Sequence, residues 1–269
     1  DPRVYPLTQS YSVVGCIASS RAQGGGSVSR RAHNLLVPRA SVFRHPAAVA
    51  RSLGCARVHP LESMMTSIAT LTRGLSDGRV HRSVYTDSEI FALEMERIFG
   101  RAWIYLGHES QVRAPGDFFT ARIGRHRLLV TRHTDGHVHA LHNRCTHRGA
   151  ELCPEAAGHA TRFACPYHAW TFNSAGDLVG VPHASGYDGE FKHRRGSLAL
   201  ERVARVDNYR GFIFGSLTTT GPSLRDFLGP VVCEAFDNFV DRSPSGELEV
   251  VGGKLVQTFR ANWKLQIEN

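Results

Sequence analysis

Two short stretches offer the chemistry in this chain. Cys145-Thr146-His147-Arg148-Gly149 and Cys165-Pro166-Tyr167-His168-Ala169-Trp170 each carry one thiolate and one imidazole, in the order C-x-H and C-x-x-H, with seventeen residues between His147 and Cys165. A [2Fe–2S] cluster can be held this way, two Cys on one iron and two His on the other, each iron taking one ligand from each loop. Exchanging two anionic thiolates for neutral imidazoles leaves less negative charge on the cluster and makes its reduced state easier to reach. Such a centre moves single electrons and staples two loops together. Zinc is one alternative, but it commonly pairs C-x2–4-C with H-x3–5-H, keeping like ligands together, whereas both halves here are mixed. The plainest alternative is no metal at all, with two Cys and two His falling at this spacing by chance.

The surrounding residues fit a supporting role. Arg148 can offset cluster charge or bond a nearby carbonyl or acid, and Trp170 and Phe172 can shield the centre from water. Ordinary core packing explains the two aromatics equally well. The other four cysteines, Cys16, Cys55, Cys153 and Cys233, are scattered without disulfide-framework spacing, which fits a reducing cytoplasm. Cys153 reads as a small buried residue. His133, His137, His139 and His142 tempt as ligands, but no completing set is visible, and they read as surface or lightly buried histidines.

C-T-H-R-G followed by C-P-Y-H-A-W-T-F resembles the Rieske domain of ring-hydroxylating oxygenase large (alpha) subunits, and the resemblance runs from about residue 83 to residue 269. It implies Cys145, His147, Cys165 and His168 as cluster ligands, with Arg148, Tyr167 and Trp170 around them. The family usually has Gly at the position of Ala169, a type that often marks positive φ or a close approach. Residues 262–269 resemble the helix that enters the oxygenase catalytic domain. The family's mononuclear iron ligands, two His and one carboxylate, follow further on, so no catalytic residue is expected within residues 1–269.

The implied activity is that of an aromatic-ring-hydroxylating dioxygenase alpha subunit. Electrons from NAD(P)H arrive through a reductase or ferredoxin, reach the cluster and pass to a mononuclear Fe(II) in the adjacent subunit, where O2 is activated. An α3 or α3β3 assembly is implied by the family alone. This stretch by itself is expected to hold the cluster and to oxygenate nothing. Three other readings stand beside it: a Rieske ferredoxin-like electron carrier, a Rieske monooxygenase or demethylase, and a zinc-stapled binding module.

Composition narrows the class. The chain has 269 residues, 42% hydrophobic and 21% charged, ordinary for a globular protein, and no apolar run long enough to span a membrane. Its +8 net charge is unevenly placed: residues 1–63 carry +6 and the remainder only +2, so no nucleic-acid partner is inferred. Residues 1–63 are rich in Arg and Ser and poor in acids, with no sustained period. They read as a disordered or non-native leader, either upstream sequence translated ahead of Met64 or Met65 or, less in keeping with the Asp1 start, an organelle transit peptide.

The expected fold class is α+β, an antiparallel β Rieske domain (ISP-like) followed by the beginning of an α+β catalytic domain. The expected divisions are an arm and helix over 64–101, the Rieske domain over 102–217, and the start of the catalytic domain over 218–269. Thr86-Asp87-Ser88-Glu89 reads as a capping box with Thr86 as the cap, opening a helix whose apolar face is Phe91, Met95, Ile98 and Phe99 and whose stop is Gly100. Period-2 patterning predicts strands over 118–123, 127–132 and 138–141, with Asp135-Gly136 as a hairpin turn. Further β signals run through 176–215, with 186–189 as a loop and 210–215 as a buried strand. A helix over 223–241 is interrupted at Gly229-Pro230, and 247–261 is extended.

Overall fold

The alternation between residues 104 and 216 resolves into three antiparallel sheets in a computed structural model, which describes residues 79–251 and 255–268 and short segments at 8–13, 16–17, 72 and 75–76. In chain order the strands are β1 (Ile104–His108), β2 (Asp117–Ile123), β3 (His126–Arg132), β4 (Val138–His142), β5 (Ala157–His159), β6 (Arg162–Ala164), β7 (Thr171–Asn173), β8 (Leu178–Gly180), β9 (Arg205–Tyr209) and β10 (Phe212–Ser216). They pair in the orders β4-β3-β2-β5, β9-β10-β1 and β6-β7-β8. The β3–β4 turn closes as expected, with Gly136 at φ +83° and the Asp135 carboxylate accepting the His137 N–H at 2.8 Å.

The four-stranded sheet is buried on both faces, and the period of 2 assigns the faces. Phe119, Leu128, Val130 and Ala140 point to one side, where they pack with Leu106 of β1 and Ile213 of β10. Phe118, Leu129 and Leu141 point to the other side and pack beneath Cys145, Cys165, Trp170 and Phe172. One sheet thus closes the barrel-like body with one face and floors the two ligand loops with the other. The fold is α+β.

Helix α1 (Ser88–Glu94) is where local sequence reasoning needs correction. Its cap is Asp87, not Thr86: Asp87 is extended (φ −80°, ψ 125°) and its carboxylate accepts from the N–H groups of Glu89 and Ile90. A cap must lie outside the helical region, and Thr86 ends the preceding helical turn, its hydroxyl donating to Arg82 O at 3.2 Å. A π-helical turn, Met95–Phe99, then rotates the face. Ile90, Phe91 and Glu94 are buried, while Ile98 is exposed rather than on the apolar face. Gly100 ends the segment for want of room, not through a left-handed backbone: its φ is −75°, and a Cβ would stand 2.3 Å from Glu96 O.

Residues 184–186 and 189–198 are helical rather than β, with 187–188 left as the non-helical link inside the expected loop of 186–189. Two 3-10 turns flank α2 (Gly189–Arg194), which starts where the Asp188 carboxylate accepts the Phe191 N–H at 3.0 Å. Helix α3 (Leu224–Val240) opens on Ser223 and breaks at Gly229 (φ 71°, ψ 169°) before Pro230, as expected. Within the leader, Thr8–Val13 runs antiparallel to Leu255–Arg260, and Cys16–Ile17 to Glu249–Val250, extended segments where the composition suggested none. Tyr11 and Val13 are strand-forming types. The rest of 1–63, with Met64 and Met65, lies outside the described residues, as does Asn269.

The short C-terminal helix Lys264–Ile267 docks on α1 through one buried carboxylate. Glu94 accepts from Trp263 Nε1 at 2.8 Å and from Lys264 Nζ, and Trp263 meets Phe99 edge to face at 5.0 Å. Asn262 Nδ2 adds a bond to Tyr85 O at 3.3 Å. Among the described residues no helix is long and apolar enough to cross a membrane. Replacing Glu94 by Ala leaves a largely buried ammonium and an indole N–H unpaired, so Glu94→Ala should lose about 3 kcal/mol of stability in denaturant unfolding. A loss below about 0.5 kcal/mol would show that the contact is solvated and idle.

Candidate metal centre

The two ligand loops make the same turn. In the first, Cys145 N–H donates to Ala150 O at 2.8 Å and Gly149 N–H returns to Cys145 O at 2.8 Å. In the second, Cys165 N–H donates to Trp170 O at 2.8 Å and Ala169 N–H returns to Cys165 O at 2.9 Å. Each cysteine spends both backbone groups on partners five and four residues on. The fourth residue in each turn has positive φ, +75° at Gly149 and +52° at Ala169. Glycine meets that demand without strain in the first loop, whereas an L-residue in the left-handed region costs about 1–2 kcal/mol.

The turns bring the four side chains together as two pairs. Cys145 and Cys165 are both buried in one core, where Cys165 lies near the Cys145 thiol. Burial pushes the Cys145 thiol up from its ordinary value. The backbone N–H groups of His147 and Arg148 point at it and oppose that rise. His147 and His168 meet edge to face with ring centroids 4.9 Å apart, nearer the surface than the thiols. Desolvation, His168 and the Arg148 cation all push the His147 imidazole down, favouring the neutral form that binds metal. Among the described residues no three His, Cys, Asp or Glu side chains are placed to hold a single ion. A single zinc needs all four donors around one point, whereas a two-iron cluster uses a Cys pair and a His pair. The donor set and its pairing fit a [2Fe–2S] group.

Support comes from residues of the motif and from others, Asn143, Tyr187, Phe191 and Leu198, that it does not reveal. Trp170 is buried and stacks flat on His147, centroids 4.7 Å apart and planes 12° from parallel. Phe191 of α2 packs on Trp170 at 6.0 Å, and Tyr187 stacks on Phe191 at 4.2 Å, so the helical insertion roofs the aromatic side of the centre. Thr146 Oγ1 ties the first loop to Leu198 O at 2.7 Å. Asn143, buried, brackets the backbone of Cys153, donating to its carbonyl at 2.5 Å and accepting its N–H at 2.9 Å. Phe172 is fully buried beneath the loops. Tyr167 and Arg148 stand exposed at the rim, Tyr167 at 72%.

The remaining histidines and Cys153 are spent elsewhere. His139 Nε2 lies 3.0 Å from Asp135, His133 Nδ1 lies 2.7 Å from Ser174 Oγ, and His142 packs on His126 at 5.2 Å. Cys153 is a buried free thiol pushed up to about 12, chiefly by desolvation and then by its bond to Glu155 at 3.2 Å.

An antiparallel β body presenting two such loops over one core has the architecture of a Rieske-type iron–sulfur domain. Residues 102–205 match the protein family described as Rieske [2Fe-2S] domain. The chain is 46% identical over 192 residues to the anthranilate 1,2-dioxygenase large subunit of Acinetobacter baylyi, covering 71% of this chain and 40% of that one. It is 38% identical over 198 residues to the N,N-dimethyl phenylurea N-demethylase subunit alpha of a Sphingobium species, covering 73% and 42%. Its fold is similar to the crystal structure of naphthalene 1,2-dioxygenase from Rhodococcus sp. bound to indole, with a TM-score of 0.67 and 37% identity over 75% of this chain and 46% of that one. Residues 102–205 are thus a Rieske [2Fe-2S] domain, and about seven tenths of the chain is similar to large (alpha) subunits of ring-hydroxylating dioxygenases. It spans about two fifths of the length of the curated relatives it matches.

The left-handed Ala169 yields a direct test. Ala169→Gly should raise stability by about 1 kcal/mol, because relief of backbone strain exceeds the added freedom of the unfolded chain. A lower melting temperature for that variant would show that the Ala169 methyl packs productively. Asn143→Ala should cost about 2 kcal/mol by leaving the Cys153 N–H and C=O unpaired in the core, measured by denaturant unfolding.

Proposed function

We propose that Cys145 and Cys165 hold one iron of a [2Fe–2S] cluster and that His147 and His168 hold the other. The observation that carries this is the pairing itself: thiol with thiol in the interior and imidazole with imidazole nearer the surface, on two loops that turn alike. A cluster bound there supplies one-electron transfer at a potential raised by its imidazole ligands. The side chains do the rest. Trp170 and Phe172 exclude water from the inner side, the backbone N–H groups of His147 and Arg148 offset sulfur charge, and the two imidazoles lead outward to where an electron can leave.

On this reading the whole protein is the oxygenase component of an aromatic-ring-hydroxylating dioxygenase. It takes electrons from a ferredoxin or a reductase fed by NAD(P)H, and passes them to a mononuclear non-haem Fe(II) in the catalytic part of the adjacent subunit for O2-dependent hydroxylation of an aromatic ring. Residues 102–217 form the Rieske unit, preceded by the arm and helix of 64–101 and followed by the start of the catalytic domain. An α3 or α3β3 assembly and a cytoplasmic location complete the proposal. Similarity to the anthranilate dioxygenase large subunit supports the dioxygenase reading, and similarity to an N-demethylase alpha subunit keeps a Rieske monooxygenase or demethylase as the second reading. A simple Rieske ferredoxin-like carrier leaves α3 and the strands after it without a role.

The purified 269-residue chain should be red-brown, contain iron and acid-labile sulfide in equal amounts, and give an EPR signal on reduction. A colourless zinc-loaded protein would sink the assignment. His147→Cys or His168→Cys, if a cluster still assembles, should lower its potential by on the order of 100 mV through added thiolate charge; an unchanged or higher value contradicts the ligand set. Cys153→Ser should leave the cluster signal intact, because that thiol is already engaged by Glu155.

A further inference from the structure

Beside the first ligand loop lies an open groove of about 700 Å³ whose wall includes residues 145–149. Four arginines line it, Arg125 and Arg127 from the β2–β3 hairpin and Arg144 and Arg148 from either side of Cys145. Among the described residues two carboxylates face them, Glu151 and Glu201, and Glu151 is already ion-paired with Arg127. Among the described residues no ion pair engages Arg125, Arg144 or Arg148, and all three are exposed. Arg125 rests on the Phe91 ring at 5.2 Å, which holds its guanidinium in place without neutralising it.

This concentration of charge is local. Residues 64–269 carry only +2 in total, so three uncompensated guanidinium groups in one concavity are a feature of the groove and not of the surface at large. Arginine forks suit planar carboxylates, and a concave patch of one sign draws an oppositely charged partner and speeds its arrival. Whatever docks there lies against the loop that carries Cys145 and His147, so a redox group brought by that partner gains a short path to the centre.

We propose that this groove is the docking surface for an acidic electron-carrier protein, with Arg125, Arg144 and Arg148 binding its carboxylates. The inference rests on the [2Fe–2S] reading of the four ligands. In the encounter the carrier is oxidised by one electron and the centre is reduced by one.

The full chain with its cluster is mixed in stopped flow with either of two reduced donors, a plant-type ferredoxin of acidic surface or methyl viologen, a small cation. Raising ionic strength from about 0.01 M to about 0.1 M should slow the ferredoxin and speed the viologen. The double variant Arg125→Glu with Arg144→Glu should slow reduction by ferredoxin about tenfold and accelerate reduction by viologen. Glu201→Lys should accelerate the ferredoxin reaction, a gain that damaged folding does not produce. Equal changes with both donors, or none with either, overturn the docking surface while leaving the cluster assignment standing. A chain that binds no reducible cluster overturns both.

Discussion

The turn shared by the two ligand loops constrains everything around it. Once a cysteine's N–H and C=O are committed to partners five and four residues on, the direction of its sulfur is set and the fourth residue must take positive φ. The imidazole must then come from inside the same turn, which confines it to the two or three residues after the cysteine. Two such turns face each other only if something beneath holds both at one height. That something is the outer face of the four-stranded sheet, with Phe118, Leu129 and Leu141 packed under both loops. The opposite face of the same strands is anchored in a second core, so the floor cannot tilt without opening the body of the domain.

Above that floor, polar and aromatic contacts tune what the loops expose. The thiols sit in the interior and the imidazoles nearer the surface, and Trp170 lies flat against one imidazole. The insertion carrying α2 backs the tryptophan with Phe191, and Thr146 bonds to the same insertion at Leu198. Water is kept from one side of the centre and admitted on the other. Low dielectric around the sulfurs and access at the nitrogens are the two conditions under which a centre of this kind can be both poised and reachable.

Much of this was legible in the sequence. The mixed C-x-H and C-x-x-H loops announce themselves by residue type and spacing, and β2 to β4 follow from alternation and an Asp-Gly turn. What escaped was set by context. Thr86 and Asp87 are both good caps, and only the backbone of the preceding turn decides for Asp87. Nothing in Met95-Glu96-Arg97-Ile98-Phe99 declares a π turn, so Ile98 was placed on the wrong face. Residues 184–198 carry mixed signals that a short cap at Asp188 resolves in favour of helix. Asn143 bonds across ten residues to Cys153, a tertiary contact with no local pattern. Ala169 stood out only as a departure from the family's glycine, and the structure supplies the positive φ that makes the departure matter.

The bond from Glu94 to Trp263 and Lys264 has a consequence for synthesis. Helix α1 precedes the sheets, yet its buried carboxylate finds its partners some 170 residues later in the chain. At ribosomal rates that interval is roughly 10–30 s. The hairpin of β2 and β3 and the two ligand loops all emerge within it, so cluster insertion can begin while Glu94 is still unpartnered and α1 undocked. Helix α1 is therefore among the last elements to settle, and its docking reports that the segment beyond α3 has arrived.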